Sequence, residues 1–324
     1  MYEEMKTVFY QVLIKRGFNS ELAMENAELF AQNSLDGVYT HGLNRFPRTI
    51  DYIEKEYIKV NAVPVRVNGM GSLEQWDGQM GIGPSNAKRG MARAVELAST
   101  YGMGCVALRN TNHWMRGGAY GLQAADSGCI GICFTNTLPN MPPWGGKENR
   151  IGNNPFIISV PTKTGHIMLD MAVSQYSFGM IEKMAKEEKT LPVPGGYDVN
   201  GHLTSDAKLL WDSKHVLPIG FWKGSGLSIM LDLLAAILSQ GNSTYEIGKL
   251  PEEFSICQIF IAFDTKKLGN SSYMEKLVED TVSYIKSSTA FEEGQKIYYP
   301  NERSVATRTE NLKNGIPVDE SYWN

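Results

Sequence analysis

Gly102-Met103-Gly104-Cys105-Val106-Ala107 matches the Gly-x-Gly-x-x-Ala spacing of a dinucleotide-binding loop, and its surroundings argue against that role. In such a loop the strand comes first and the helix second, so that pyrophosphate meets a helix N-terminus. Here the order is reversed. A helix is predicted over 85–101, with Ala87, Met91, Ala94, Val95 and Ala98 on one face, and Gly102 is a suitable residue to end it. The apolar run 105–108 then follows as a strand, so the glycines punctuate a helix-to-strand connection.

Four more short apolar runs, 130–134, 156–160, 167–169 and 256–263, read as strands, and 117–127, 175–188 and 224–239 read as helices. This interleaving predicts an α/β fold, layered α/β/α around a central sheet, and not a Rossmann fold. Turn signals at Thr164-Gly165 and Asn200-Gly201 point to local hairpins, which makes the sheet mixed. Residues 1–34 read as two amphipathic helices broken at 17–20 with Ser20 as N-cap, and a third helix spans 47–56. The expected organisation is an N-terminal helical region, 1–70, packing with 270–324, and an α/β region, 71–269, that binds cofactor and substrate.

The chain has 324 residues, 42% of them hydrophobic and 20% charged, with a formal net charge of -4. That balance lacks the basic footprint of a nucleic-acid binder. No basic segment followed by an apolar one opens the chain, and the greasy stretch 227–238 is interrupted by Asp232 and too short for a bilayer. Cys105, Cys129, Cys133 and Cys257 fall mostly in apolar runs, as buried thiols of a reducing compartment do, and a cytoplasmic enzyme fits. Cys129 and Cys133 have no second pair nearby, and no His/carboxylate cluster stands at ligand spacing, so no metal is expected.

Four places carry chemistry. Lys223-Gly224-Ser225-Gly226 opens the longest apolar helix, where a cation opposes the macrodipole unless an anion lies between them; a plain Gly/Ser cap is the alternative. Asp170 closes the strand at 167–169, either to hold a ribose hydroxyl, which favours NAD over NADP, or to cap a helix starting near Val173. His113 lies in the polar, glycine-paired segment 109–118, just past the carboxyl end of a strand. His202 and His215 read as solvated, and His166 stays ambiguous.

His41 stands with Arg45 and Arg48 within eight residues. Reduction of a keto acid needs a cation to grip the carboxylate and an acid to protonate the oxo oxygen, and these residue types supply both. Pro47 disfavours one continuous helix through all three, so a helix is expected to begin near Pro47 with His41 and Arg45 ahead of it.

The blocks 37–48, Asn110–Gly118, Met141–Glu148, Ile151–Pro155, Leu169–Ala172 and Phe221–Gly226 resemble, in order along the chain, the malate/L-lactate dehydrogenase type 2 family. The resemblance implies a homodimeric NAD(P)H-dependent oxidoreductase acting on a small 2-oxo acid, with NADH as cofactor and NADPH as the alternative. It also implies His41 as proton donor and Arg45, Arg48 and His113 as substrate contacts. Cofactor contacts are expected from His166, Ile167, Met168, Leu169, Asp170, Met171 and Ala172, from Trp222 and Lys223, and from Asn301, Glu302 and Arg303. Malate-, lactate- or ureidoglycolate-type dehydrogenation and cyclic imino acid reduction are the family's other activities; a binding protein without turnover is the rival of another class. The chain departs from the family pattern at Asn301, where Gly is usual, at Asn153, where Thr is usual, and in the length of the connection 162–166.

Overall fold

The computed structural model describes residues 1–163, 165–269 and 271–323. Its N-terminal region is helical: α1 (Tyr2–Lys15), α2 (Ser20–Leu35) and α3 (Phe46–Glu54). The cap of α2 is Asn19 rather than the expected Ser20. Asn19 is extended, and its side-chain oxygen accepts the Leu22 N–H at 2.9 Å. Ser20 is already helical and meets the Tyr10 hydroxyl at 3.1 Å. As expected, Pro47 falls in the first turn of α3, where its missing N–H costs nothing. Two short 3₁₀ turns, Tyr39–His41 and Leu43–Arg45, precede it.

The chain continues through β1 (Val65–Met70), β2 (Leu73–Asp77), α4 (Gly83–Tyr101) and β3 (Met103–Thr111). Gly102 ends α4 at φ +88°, a left-handed conformation that suits a residue without Cβ, and β3 starts at once. Then come α5 (Gly118–Asp126), β4 (Cys129–Thr135), β5 (Phe156–Val160), β6 (Ile167–Met171) and α6 (Phe178–Lys186). A small lobe holds β7 (Gly196–Tyr197), β8 (Leu203–Thr204), α7 (Ala207–Ser213) and β9 (His215–Val216). The remainder is α8 (Trp222–Ser239), α9 (Thr244–Ile247), β10 (Ile256–Asp264), α10 (Ser271–Lys286), α11 (Glu302–Asn314) and α12 (Glu320–Trp323).

The central sheet has seven strands in the order β1-β2-β3-β10-β4-β5-β6. Only β2 and β3 run parallel, so the sheet is mixed. The Asn200-Gly201 signal is the β7–β8 hairpin; Thr164 of the other turn signal lies outside the described residues, while its flanking strands β5 and β6 pair antiparallel. His215, expected in a polar loop, is half-buried in β9.

Period-two alternation builds the layers. On β3, Val106 and Leu108 face α4 and α5 in a core with Met91, Ala94, Tyr120 and Phe260. Cys105 and Ala107 face the other way, against Leu231 and Ala235 of α8 with Ile259. All four cysteines are free and buried. By length and composition α8 could cross a membrane, yet here it lies on the sheet, and Asp232 accepts from Asn136 Nδ2 at 2.9 Å and Thr244 N–H at 2.7 Å. A separate core holds the N-terminal helices, centred on Phe9, Phe30 and Phe46, with Ile316, Tyr322 and Trp323 from the C-terminus packed against it. The His41 segment lies between this core and the sheet.

Candidate active site

The backbone fixes His41 before its side chain does anything. Asn33 Nδ2 donates to the His41 carbonyl at 3.0 Å, and Ser34 Oγ accepts the Leu43 N–H at 3.0 Å. A Cβ at position 42 would overlap Ser34 Oγ, so a glycine must follow His41 for the chain to lie against α2. Thr40 Oγ1 sits 3.1 Å from His41 Nδ1. Arg45 follows one short turn later, and Arg48 on α3 donates to the Tyr52 hydroxyl at 3.0 Å.

His113 comes from the segment after β3. Asn112 anchors it by donating from Nδ2 to the carbonyls of Tyr57 and Gly81, each at 3.0 Å. The Met115 N–H donates to His113 Nδ1 at 3.0 Å. Nδ1 is therefore unprotonated, and the neutral ring carries its hydrogen on Nε2. The His41 and His113 rings stack with centroids 5.6 Å apart and 22° between planes. A small pocket opens beside the His113 ring, lined by Arg45, Arg48, Tyr52, Asn112 and His113.

Both imidazoles are held neutral. Desolvation, then the guanidinium groups of Arg45 and Arg116, push His41 down to about 4. Desolvation, then the guanidinium groups of Arg45 and Arg48, hold His113 well below the usual imidazole range. Arg45 is itself lowered by desolvation and by Arg48, with Glu253 opposing.

The three segments predicted for the cofactor, far apart in sequence, meet along the free edge of β6. Met168 N–H donates to the Pro300 carbonyl at 3.4 Å, and Asn301 Nδ2 donates to the His166 carbonyl at 2.9 Å. Just past β6, Ile219 N–H donates to the Val173 carbonyl at 2.8 Å, which brings up the chain that enters α8 at Trp222 and Lys223. Within this track the side chains differ. The His166 ring is engaged by Thr162 N–H on Nδ1 and by Asp126 at 2.9 Å on Nε2. Met168 is buried in the core, whereas Leu169, Trp222, Lys223 and Arg303 are exposed, and Ile167, Met171 and Ala172 are half-buried. Arg303 lies over the Tyr298 ring at 5.5 Å, and Glu302 pairs with Lys286.

Asn301 has φ +80°, which explains how it replaces a glycine: Asn tolerates the left-handed region better than other side chains. Asn153 takes two side-chain contacts on Oδ1, from Asn140 Nδ2 at 2.9 Å and Thr137 Oγ1 at 3.2 Å. Asp170 does stand at a helix N-terminus, but not the one expected near Val173, where no helix starts. Its Oδ2 accepts the Gly118 N–H of α5 at 2.9 Å, from the neighbouring layer. Desolvation raises its pKa, while Arg116 and that N–H pull it back down.

Sequence reasoning missed one group. Arg116 pairs with Asp36, the residue that ends α2, and Asp36 also accepts from Arg308 of α11 at 2.6 Å. Arg116 lay inside the quoted 110–118 block and Asp36 just before the 37–48 block, so proximity to both was the available signal; Arg308 carried none.

A layered mixed sheet without a glycine fingerprint and a His/Arg cluster beside it define a dehydrogenase of an unusual type, and the chain belongs to the malate/L-lactate dehydrogenase family, which it matches over residues 1–324. It is an oxidoreductase acting on a hydroxy or oxo group, and such enzymes use a nicotinamide cofactor. It is 46% identical over 323 residues to the 2,3-diketo-L-gulonate reductase of Escherichia coli strain K12, covering 99% of this chain and 97% of that one. Among solved structures it resembles malate dehydrogenase from Entamoeba histolytica, with TM-score 0.93 and 29% identity over 100% of this chain and 94% of that one. It also resembles sulfolactate dehydrogenase from Methanocaldococcus jannaschii, with TM-score 0.89, 29% identity and the same coverage.

Proposed function

We propose that this chain uses NADH to reduce a 2-oxo acid, 2,3-diketo-L-gulonate to 3-dehydro-L-gulonate, with His41 as the proton donor. The observation that carries this reading is the stacking of His41 on His113, with Arg45 lining the small pocket beside His113. The name of the 46%-identical relative supports the choice of substrate.

The residues along β6 fit a dinucleotide. Arg116 Nε and Ser174 Oγ are buried without a hydrogen-bond partner among the described residues. Exposed Leu169 and Trp222 offer apolar surface to rings, and Lys223 and Arg303 offer charge to phosphates. The Asp170 carboxylate suits a ribose hydroxyl and repels a 2′-phosphate, which favours NADH over NADPH. When bound, the nicotinamide supplies the hydride.

The chain's own residues do the rest. Arg45, with Arg48 beyond it, holds the substrate carboxylate. His113 donates from Nε2 to the oxo oxygen and orients it. Burial is the main cause that holds His41 neutral and Arg45 the next; a bound carboxylate offsets the Arg45 charge and so favours a proton on His41, which passes it to the oxygen as that becomes a hydroxyl.

We also take the outer face of α8 as a homodimer contact. Met230, Leu233 and Ile237 are exposed along it, Ile237 at 68%, a larger apolar stripe than a monomer normally leaves in water. Four reduced, buried cysteines fit the cytoplasm. The helical region of this reading ends before β1 (Val65–Met70), which joins the central sheet, and Ile316, Tyr322 and Trp323 pack on its core.

The names of the solved relatives favour a second reading, dehydrogenation of malate or a similar short 2-hydroxy acid. Following NADH absorbance with diketogulonate, oxaloacetate and pyruvate at equal concentration separates the two. Diketogulonate should give the highest kcat/KM, and preference for either shorter acid overturns the assignment.

A further inference from the structure

Arg116 is the most enclosed cation near the cleft, with its side chain 3% exposed. One nitrogen, Nη1, pairs with Asp36 Oδ2; another, Nε, points at Asp170 Oδ2 from 3.8 Å and has no hydrogen-bond partner among the described residues. Those two carboxylates belong to different parts of the machinery. Asp36 leads directly into the 37–42 segment that presents His41, and it is also held by Arg308, six residues into the helix that Asn301 begins. Asp170 lies on β6, the centre of the cofactor track, and is also held by the α5 N-terminus.

We propose that Arg116 is a positioning residue that locks the proton-donor segment to the cofactor strand and keeps a fixed positive charge beside His41. The inference rests on the reading of His41 as proton donor and β6 as cofactor strand. A guanidinium suits this task because its planar fork presents separate N–H groups to two carboxylates at once, which an ammonium cannot do with fixed geometry. Burial makes the Arg116–Asp36 pairing costly to break, since both side chains are shielded from water.

The charged and titratable groups facing His41 are Arg45 from its own segment, and His113 and Arg116 from the segment after β3. Asp36 and Asp170 stand across Arg116. Removing the Arg116 charge takes away a cation that disfavours imidazolium and leaves two carboxylates that favour it. The titration midpoint of His41 must then rise.

Protein labelled with ¹³C-histidine allows each ring to be titrated by NMR, with His41→Gln identifying the signal. In Arg116→Met the His41 midpoint should move up by about one pH unit, the effect of one nearby charge. In Arg116→Lys it should stay where it is in the native protein, while NADH, followed by its fluorescence, binds roughly tenfold more weakly because the guanidinium nitrogen 3.8 Å from Asp170 is lost. An unmoved midpoint in the Met variant, or native NADH affinity in the Lys variant, overturns the proposal. If the Met variant fails to fold, the Lys variant carries the test, since it preserves the buried charge. Native turnover in His41→Gln removes the proton-donor reading instead, and leaves the NMR result standing on its own.

Discussion

Around His41 the neighbouring groups are already paired: Asn33 holds its carbonyl, Thr40 meets its ring and Ser34 holds the next segment. Along β6 and the first turn of α8, by contrast, Leu169, Trp222 and Lys223 face solvent, residues 300–301 meet the strand edge, and 217–219 join just past it. The contrast follows the chemistry. Proton transfer and carboxylate binding gain from groups fixed in advance, because no reorganisation is then needed during the reaction. A dissociable cofactor needs a surface it can enter and leave. On the proposed function, the enzyme is thus rigid where a proton moves and open where a large ligand exchanges.

That contrast can be broken from either side. The largest effect is expected from His41→Ala, which should lower kcat by roughly 10²–10⁴ while leaving NADH affinity near the native value; native turnover in stopped-flow assays would remove the assignment. Arg45→Met should cost roughly 10- to 100-fold in kcat/KM for the oxo acid, the loss of one charge-assisted contact, with little change in NADH binding. Equal loss for a neutral ketone analogue would show that Arg45 does not read the carboxylate. Gly42→Ala should destabilise the protein by about 1–3 kcal/mol in denaturant titrations, because the added methyl meets Ser34 and the Phe30 carbonyl. Unchanged stability would mean that the His41 segment is less tightly held than its contacts imply. The smallest effect belongs to the open end. Lys223→Ala should weaken NADH binding a few-fold at low salt and less at high salt, since an exposed cation is screened; salt-independent loss would point to a structural role.

The sequence made the rigid end the more legible one. His41, Arg45 and His113 stand in contiguous blocks whose residue types already match a chemical task, and the helix-to-strand order at Gly102 excluded the decoy loop. The layers followed from apolar runs, but β1 did not, because Val65–Met70 is largely exposed and carries no buried face to betray it. The two-residue strands of the small lobe are too short for any period. Asp170 was recognised as a capping candidate, yet its helix starts fifty-two residues earlier in the chain. Arg116 and Asp36 are eighty residues apart, and Asp36 and Arg308 are farther still, so nothing local announces either pair. Ion pairs closed only by the tertiary fold are invisible to spacing arguments, however central they are.

The hydrogen bond from the Met115 amide to His113 Nδ1 has a kinetic consequence. A ring whose second nitrogen is occupied by a backbone donor cannot accept another proton without giving up that bond, so His113 can orient the oxo group but cannot serve as a reservoir. Under the proposed mechanism, His41 alone then delivers a proton to the substrate. In mixtures of H₂O and D₂O, the rate of the chemical step should fall along a straight line with deuterium fraction, the signature of a single proton in flight.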